Sequence, residues 1–303
     1  MREALTKTLV VHAQDSNFVF LTGDVGFMAL EPLRDAAKDR FINAGIAEQN
    51  MVSVAAGLAR AGLRPWVYSI APFLYARAFE QIRNDICMHD LPVVLVGNGG
   101  GYAYGVMGPT HHALEDYGTL LGLPNLTAYV PAFAEDVPQA VARLMPAAGP
   151  AYLRLGRDEK PKDFVPPPFA PWRLLMSGTG ATVVVVGPLV GGILAAAQTL
   201  PELRRPSLWL LSELPIQPEE IPAAFVAEVE RSGHLIVVEE HVAQGSVGAG
   251  LAHALLCAGT SPRRFAHRFA RGYPSGHYGS QLYHRQESGL DPASIVRLLT
   301  NTP

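Results

Sequence analysis

Short apolar runs alternate with segments of helical periodicity along almost the whole chain. No other feature restricts the fold as much. Phe18–Thr22, Leu91–Val96, Thr182–Val186, Leu208–Leu211 and His234–Val238 are mostly apolar and only a few residues long, the signature of buried strands. Shorter extended pieces are expected at Phe41–Asn43, Pro65–Ser69, Thr127–Val130, Tyr152–Leu155 and Phe265–Phe269. Between them, helices are expected at Arg2–Gln14, Ile46–Ala61, Ala76–Met88, Ala113–Leu121, Ala134–Leu144, Gly192–Thr199, Ile221–Arg231, Ser246–Cys257 and Asp291–Leu299. Strand and helix in turn build mainly parallel sheets covered by helices on both faces, so the expected class is α/β.

The alternation breaks once. Asp158–Trp172 carries Pro161, Pro166, Pro167, Pro168 and Pro171, which excludes an internal helix or a central strand. We place a linker at 158–172, between one unit at 1–157 and another at 173–303, each a mainly parallel sheet flanked by helices. The two units share an architecture but no sequence period.

Composition matters for what it excludes. A formal net charge of −3, with no basic run, gives no case for nucleic acid. No apolar run approaches the ~20 residues of a membrane span. The first residues lack the apolar core of a signal peptide. Cys87 and Cys257 belong to no CxxC pair and read as reduced thiols. The expectation is a cytoplasmic protein with no membrane association.

Three stretches can carry chemistry. Glu48 starts a helix whose positions Met51, Val52, Ala55 and Ala59 fall on its own face and are apolar or small. Burying a carboxylate there is costly unless it is paired or protonated. A proton-handling role and plain stabilisation by the helix N-terminus both fit. The glycine-rich segment Gly97–Gly108 follows a buried strand and leads to Pro109-Thr110-His111-His112. Loops after strand carboxyl ends build ligand sites in parallel sheets, and an imidazole there can donate a hydrogen bond or move a proton. Capping and solvent exposure are the bland alternatives for the two histidines. A metal reading with Glu115 and Asp116 lacks recognised ligand spacing. The aromatic segment Tyr68–Phe79 supplies flat faces for a heterocycle or simply core. The chain has no Walker A sequence, and Val186–Gly192 is not a dinucleotide fingerprint.

Together these pieces resemble the transketolase family. Phe41-Ile42-Asn43-Ala44-Gly45-Ile46-Ala47-Glu48-Gln49-Asn50 is similar to the GIAEQ-type segment of transketolases and deoxyxylulose-phosphate synthases, and Gly108-Pro109-Thr110-His111 to their GPTH loop. Pro124–Pro131, Val237–His241 with Gly245–Gly250, and Gly289-Leu290-Asp291 extend the likeness over nearly the whole chain. The resemblance implies a pyrimidine-binding domain followed by the family's C-terminal domain. It implies thiamine diphosphate as cofactor, with Glu48 hydrogen-bonded to the aminopyrimidine ring. That bond favours the imino tautomer, whose nitrogen takes a proton from the thiazolium carbon. Phe73, Tyr75 and Phe79 lie in the segment that stacks on the pyrimidine, Asp24 lies where the family has an acid near the cofactor, and His111, with His112 beside it, is placed at the substrate.

The family's diphosphate site uses GDG followed by Asn to bind Mg²⁺, and no GDG occurs in this chain. No metal ligand is therefore expected here, and the Mg²⁺ ligands are expected on a separate N-terminal subunit in an α2β2 heterotetramer. The implied reaction, in carbohydrate metabolism, is transfer of a two-carbon ketol unit from a ketose to an aldehyde. The alternatives are a deoxyxylulose-phosphate-synthase-like enzyme, a 2-oxoacid-decarboxylating β subunit, and an inactive structural partner. Three positions depart from the family's substrate-facing polar pattern: Met107, Val130 and Gly99. These departures point to a donor or acceptor unlike the usual pentose phosphates. A substrate phosphate, if present, would fall to the glycine-rich loop or to the unusual segment Arg271–Tyr278.

Overall fold

The computed structural model describes residues 1–300. Its strands are β1 Phe18–Thr22, β2 Phe41–Asn43, β3 Arg64–Ile70, β4 Val94–Asn98, β5 Thr127–Tyr129, β6 Ala151–Leu155, β7 Trp172–Met176, β8 Thr182–Val186, β9 Ser207–Leu211, β10 Glu213–Leu214, β11 His234–Glu239 and β12 Arg264–Arg268. They form a seven-stranded sheet, β10-β5-β6-β4-β3-β1-β2, and a five-stranded sheet, β12-β11-β8-β9-β7. Each sheet is parallel except for one antiparallel edge strand, β10 in the first and β7 in the second.

Alternation along β1 shows why helices cover both faces. Phe18 and Phe20 pack with Leu5, Leu9, Leu33, Val137 and Val141, from helices on one side. Val19 and Leu21 pack with Met51, Val52 and Leu74, from helices on the other. Successive strand side chains point to opposite faces, so a strand buried on both sides is apolar throughout. The halves are not sealed off from each other. Tyr102, Leu114 and Phe133 of the first half belong to the same apolar cluster as Val183, Leu210 and Ile236 of the second.

Several elements differ from the sequence expectation. The helix expected at Ala76–Met88 begins at Ala71, where Pro72 stands in its first turn, and runs to Tyr75. After a short turn it continues as a π-helical turn over Ile82–Ile86. The helix expected from Ala113 starts at Asp116, because Ala113 pairs with Gly101 through two backbone hydrogen bonds of 2.9 and 3.0 Å. Trp172, expected in the linker, opens β7. Helices at Glu31–Ala37 and Gln281–Ser288 were not expected. No helix among the described residues is long and apolar enough to cross a membrane.

Candidate functional site

The carboxyl ends of β1, β2, β3 and β4 open at one end of the first sheet, and the sequence-predicted residues gather there. Glu48 is the first residue of the helix Glu48–Arg60. Its side chain lies against Gly23, where a Cβ would come within 3.7 Å of Oε1. Glu48 is only 4% exposed, and Met51, Val52 and Ala55 behind it are fully buried. The apolar stripe read from the sequence is therefore core, and the carboxylate sits at its solvent end. Its partner is Arg77, whose Nη1 donates to both carboxylate oxygens at 3.1 Å. Burial is thus balanced by an ion pair. Arg77 was missed because its segment was read for its aromatics.

Arg77 also joins Glu48 to the aromatic group. Its guanidinium carbon lies 4.0 Å from the Phe73 ring centroid, a cation–π contact. Phe73 in turn meets His111 edge-on at 5.1 Å, and His111 meets Tyr104 at 5.7 Å. Glu48, Arg77, Phe73, His111 and Tyr104 thus form one continuous wall. Next to it, Asp24 adopts a left-handed conformation with φ 57°. Asn43 ties that turn to the loop leading to Glu48. Its Oδ1 accepts from the Asp24 and Gly45 N–H groups, and its amide donates to Asp24 Oδ1 at 3.0 Å. Asp24 lines a cleft of about 300 Å³ with Phe27, and Glu48 lines one of about 430 Å³ with Ile46.

Other candidates lie apart from this wall. His112 is 3% exposed, and both its ring nitrogens are engaged, by the Tyr273 hydroxyl at 2.7 Å and the Gly105 carbonyl at 2.8 Å. Burial lowers its pKa. The adjacent histidines therefore separate: His111 joins the wall, and His112 anchors the loop from beneath, with no nitrogen left for a substrate. Tyr75 is buried and donates to Glu115 Oε2 at 3.1 Å, so its ring does not join Phe73. Phe79 packs at the margin of the core formed by Ile82 and Ile86. Of the three aromatics, Phe73 is the one in contact with Arg77 and His111.

The Glu239-Glu240-His241 segment clamps the halves together. Glu239 accepts from the Val247 and Gly248 N–H groups at the start of a helix, from Tyr117 Oη, and pairs with His267 at 2.8 Å. Glu240 accepts from the Tyr102 N–H and from Arg285. His241 stacks on Tyr117 with centroids 4.0 Å apart. Arg154 completes the junction by bonding Asp116 at 2.7 Å and the Ala113 and Glu240 carbonyls at 3.0 Å. The segment Arg271–Tyr278 is part of the same junction: Tyr102 donates to the Gly272 carbonyl, and Tyr278 lies against Gly108. Of the three positions that depart from the polar pattern, Met107 is exposed, whereas Val130 is fully buried and faces the second unit at Gly187. Among the described residues, no group of three or more His, Cys, Asp or Glu could hold a metal ion.

Known proteins share this chain's sequence and fold over most of its length. Residues 1–162 match the family described as "Transketolase, pyrimidine binding domain". The chain is 33% identical to a protein of Actinobacillus succinogenes named as one of the subunits of apulose-4-phosphate transketolase, over 86% of this chain and 84% of that one. A protein of the same name from Phocaeicola vulgatus is 32% identical, over 82% and 81%. The chain is also 34% identical to 1-deoxy-D-xylulose-5-phosphate synthase 2 of Geobacter sulfurreducens, over 85% of this chain but 41% of that one. A solved structure titled "Split gene transketolase, inactive beta4 tetramer" superposes with a TM-score of 0.81 at 30% identity, covering 99% of this chain and 96% of that one. The Campylobacter jejuni transketolase, 18% identical, shares the fold at a TM-score of 0.77, with 46% of its length covered. By the domain match and by identity spanning most of both chains, this chain belongs to the transketolase family.

Proposed function

We propose that this chain is one subunit of a split, thiamine-diphosphate-dependent transketolase, a transferase that moves a two-carbon ketol unit from a ketose to an aldehyde. The observation that carries this reading is the wall of Glu48, Phe73 and His111 at the carboxyl ends of the first sheet's strands. Its chemistry fits the aminopyrimidine half of the cofactor: a carboxylate to meet a ring nitrogen, an aromatic face to stack on, and an apolar rim at Ile46. The diphosphate and Mg²⁺ are assigned to a separate N-terminal subunit, and the assembly to α2β2. Exposed apolar side chains flank the wall, with Phe27 85% and Ile46 79% exposed, and the partner is expected to cover them. The names of the Actinobacillus and Phocaeicola relatives support a two-chain enzyme and make a phosphorylated ketose the first substrate to test. We propose the domain division 1–157, 158–172 and 173–303, and a cytoplasmic setting, consistent with two free thiols at Cys87 and Cys257.

The chemistry supplied by bound thiamine diphosphate is a carbon nucleophile able to carry a ketol unit. This chain's residues position and protonate. Glu48 would hold the aminopyrimidine through a carboxylate oxygen and supply or accept a proton there, which requires Arg77 to release that oxygen. The positive end of the helix Glu48–Arg60 favours the anion in that place. Phe73 and Ile46 keep water from the ring. His111 Nε2, opposite the Nδ1 that contacts Thr110 at 2.9 Å, is free to bond a substrate oxygen.

The test is to assay the chain with its partner against ketose donors and against pyruvate. Ketol transfer is expected, and Glu48→Ala is expected to lower turnover at least ~100-fold. Release of CO₂ from pyruvate would favour the synthase-like reaction. Unchanged turnover in Glu48→Ala would sink the mechanism.

A further inference from the structure

We infer that Tyr104 is a specificity-determining residue of this site, contacting the substrate beside His111 through its phenolic hydroxyl. The inference rests on the functional reading above, in which His111 faces the substrate. Three observations carry it.

The first is volume. Gly99 has φ +83°, and a Cβ built on it would lie 2.1 Å from Cε2 of Tyr104. The Tyr104 ring therefore fills the space that a side chain at position 99 would need. This position is one where the sequence departs from the family's polar pattern.

The second is hydrogen bonding. Asn98, at the carboxyl end of β4, donates its amide N–H to the Tyr104 hydroxyl oxygen at 2.8 Å. The hydroxyl oxygen is thereby fixed, and among the described residues its own hydrogen has no acceptor. Burial raises the phenol's pKa above its ordinary value, so the group is a neutral donor throughout the physiological range. The third is position. The ring lies 5.7 Å from that of His111, tilted by 60°, on the wall that also holds Phe73 and Glu48. A fixed, neutral donor in this place recognises a hydroxyl or carbonyl oxygen of a ketose. It rejects an analogue lacking that oxygen, because the donor would then be left unpaired.

The experiment uses the complex of this chain with its partner, a panel of ketose donors, and the same ketoses lacking one hydroxyl at a time. Tyr104→Phe removes a single oxygen and keeps the ring packing. It is expected to raise KM for the preferred ketose about 10-fold with little change in kcat, thermal midpoint or cofactor affinity. One deoxy analogue is expected to be discriminated against by the wild type but not by Tyr104→Phe. Asn98→Ala, which frees the phenol to rotate, is expected to shift KM in the same direction. An unchanged KM and unchanged discrimination in an active Tyr104→Phe complex would overturn this inference alone. Absence of ketol transfer by the wild-type complex would overturn it together with the functional reading.

Discussion

Arg154→Met tests how the junction behind the site is held. Arg154 lies on β6, nearly fully buried, and bonds the Asp116 carboxylate and the carbonyls of Ala113 and Glu240. Methionine preserves most of the stem but none of the donors. Asp116, fully buried, would keep one partner, the Tyr152 hydroxyl at 2.8 Å. Breaking a buried pair by removing one member costs about 3–5 kcal/mol. That is a large part of the ~5–15 kcal/mol that stabilises a typical fold. At roughly 2–4 °C per kcal/mol for units of this size, the thermal midpoint should fall by about 6–20 °C. Adding Asp116→Leu removes the stranded carboxylate, and the double variant is expected to recover much of the loss. Urea unfolding of both single variants and the double, followed by circular dichroism, measures the cycle. A loss below about 1 kcal/mol for Arg154→Met, or a double variant at least as unstable as the sum of the singles, would refute this reasoning.

Two further outcomes are expected. Arg77→Ala removes a cation that is 46% exposed but leaves the buried Glu48 carboxylate without that partner, so stability should fall by about 1–3 kcal/mol. Because Arg77 occupies the oxygens that a ring nitrogen needs, the assembled enzyme should bind thiamine diphosphate several-fold more tightly by calorimetry; weaker binding would make Arg77 a supporting residue instead. Burial lowers the pKa of His112, His234, His241 and His284. Above about pH 6.5 these groups are neutral folded and unfolded alike; below it the unfolded chain takes up protons that the folded chain resists, so stability should fall with falling pH. A thermal midpoint constant between pH 7.5 and 5.5 would contradict this.

The fold was legible wherever burial and hydrophobicity coincide. β1 and β8 are buried throughout and apolar except for one terminal threonine each, Thr22 and Thr182, so the apolar run marks both strands. The helix Gln281–Ser288 fails that test for a physical reason. It buries His284, Arg285 and Ser288, and Arg285 is held by Glu240 and Glu159, so its inward face is polar. Hydrophobic periodicity cannot find such a helix. Glu48 was legible because a carboxylate on an apolar stripe demands an explanation. Arg77 was not, because its pairing with Glu48 depends on how the chain returns after β3. His111 and His112 are alike in sequence and adjacent. Only the packing of Tyr273 and Gly105 around one ring distinguishes them. The carboxylates of Glu239 and Glu240 are taken up by the junction itself: Glu239 by the Val247 and Gly248 N–H groups, Tyr117 and His267, and Glu240 by the Tyr102 N–H and Arg285.

The antiparallel edge strand of the first sheet has a consequence for synthesis. β5 is complete at Tyr129, but its outer neighbour β10 begins at Glu213, after the next unit has started. A growing chain therefore carries an open sheet edge for on the order of ten seconds at ordinary elongation rates. Unpaired edges invite pairing with other chains. Translation thus has a window in which the nascent first half is most exposed to association. Chains stalled before Glu213 emerges should be cut readily by protease around Thr127–Tyr129, and chains stalled well beyond it should resist.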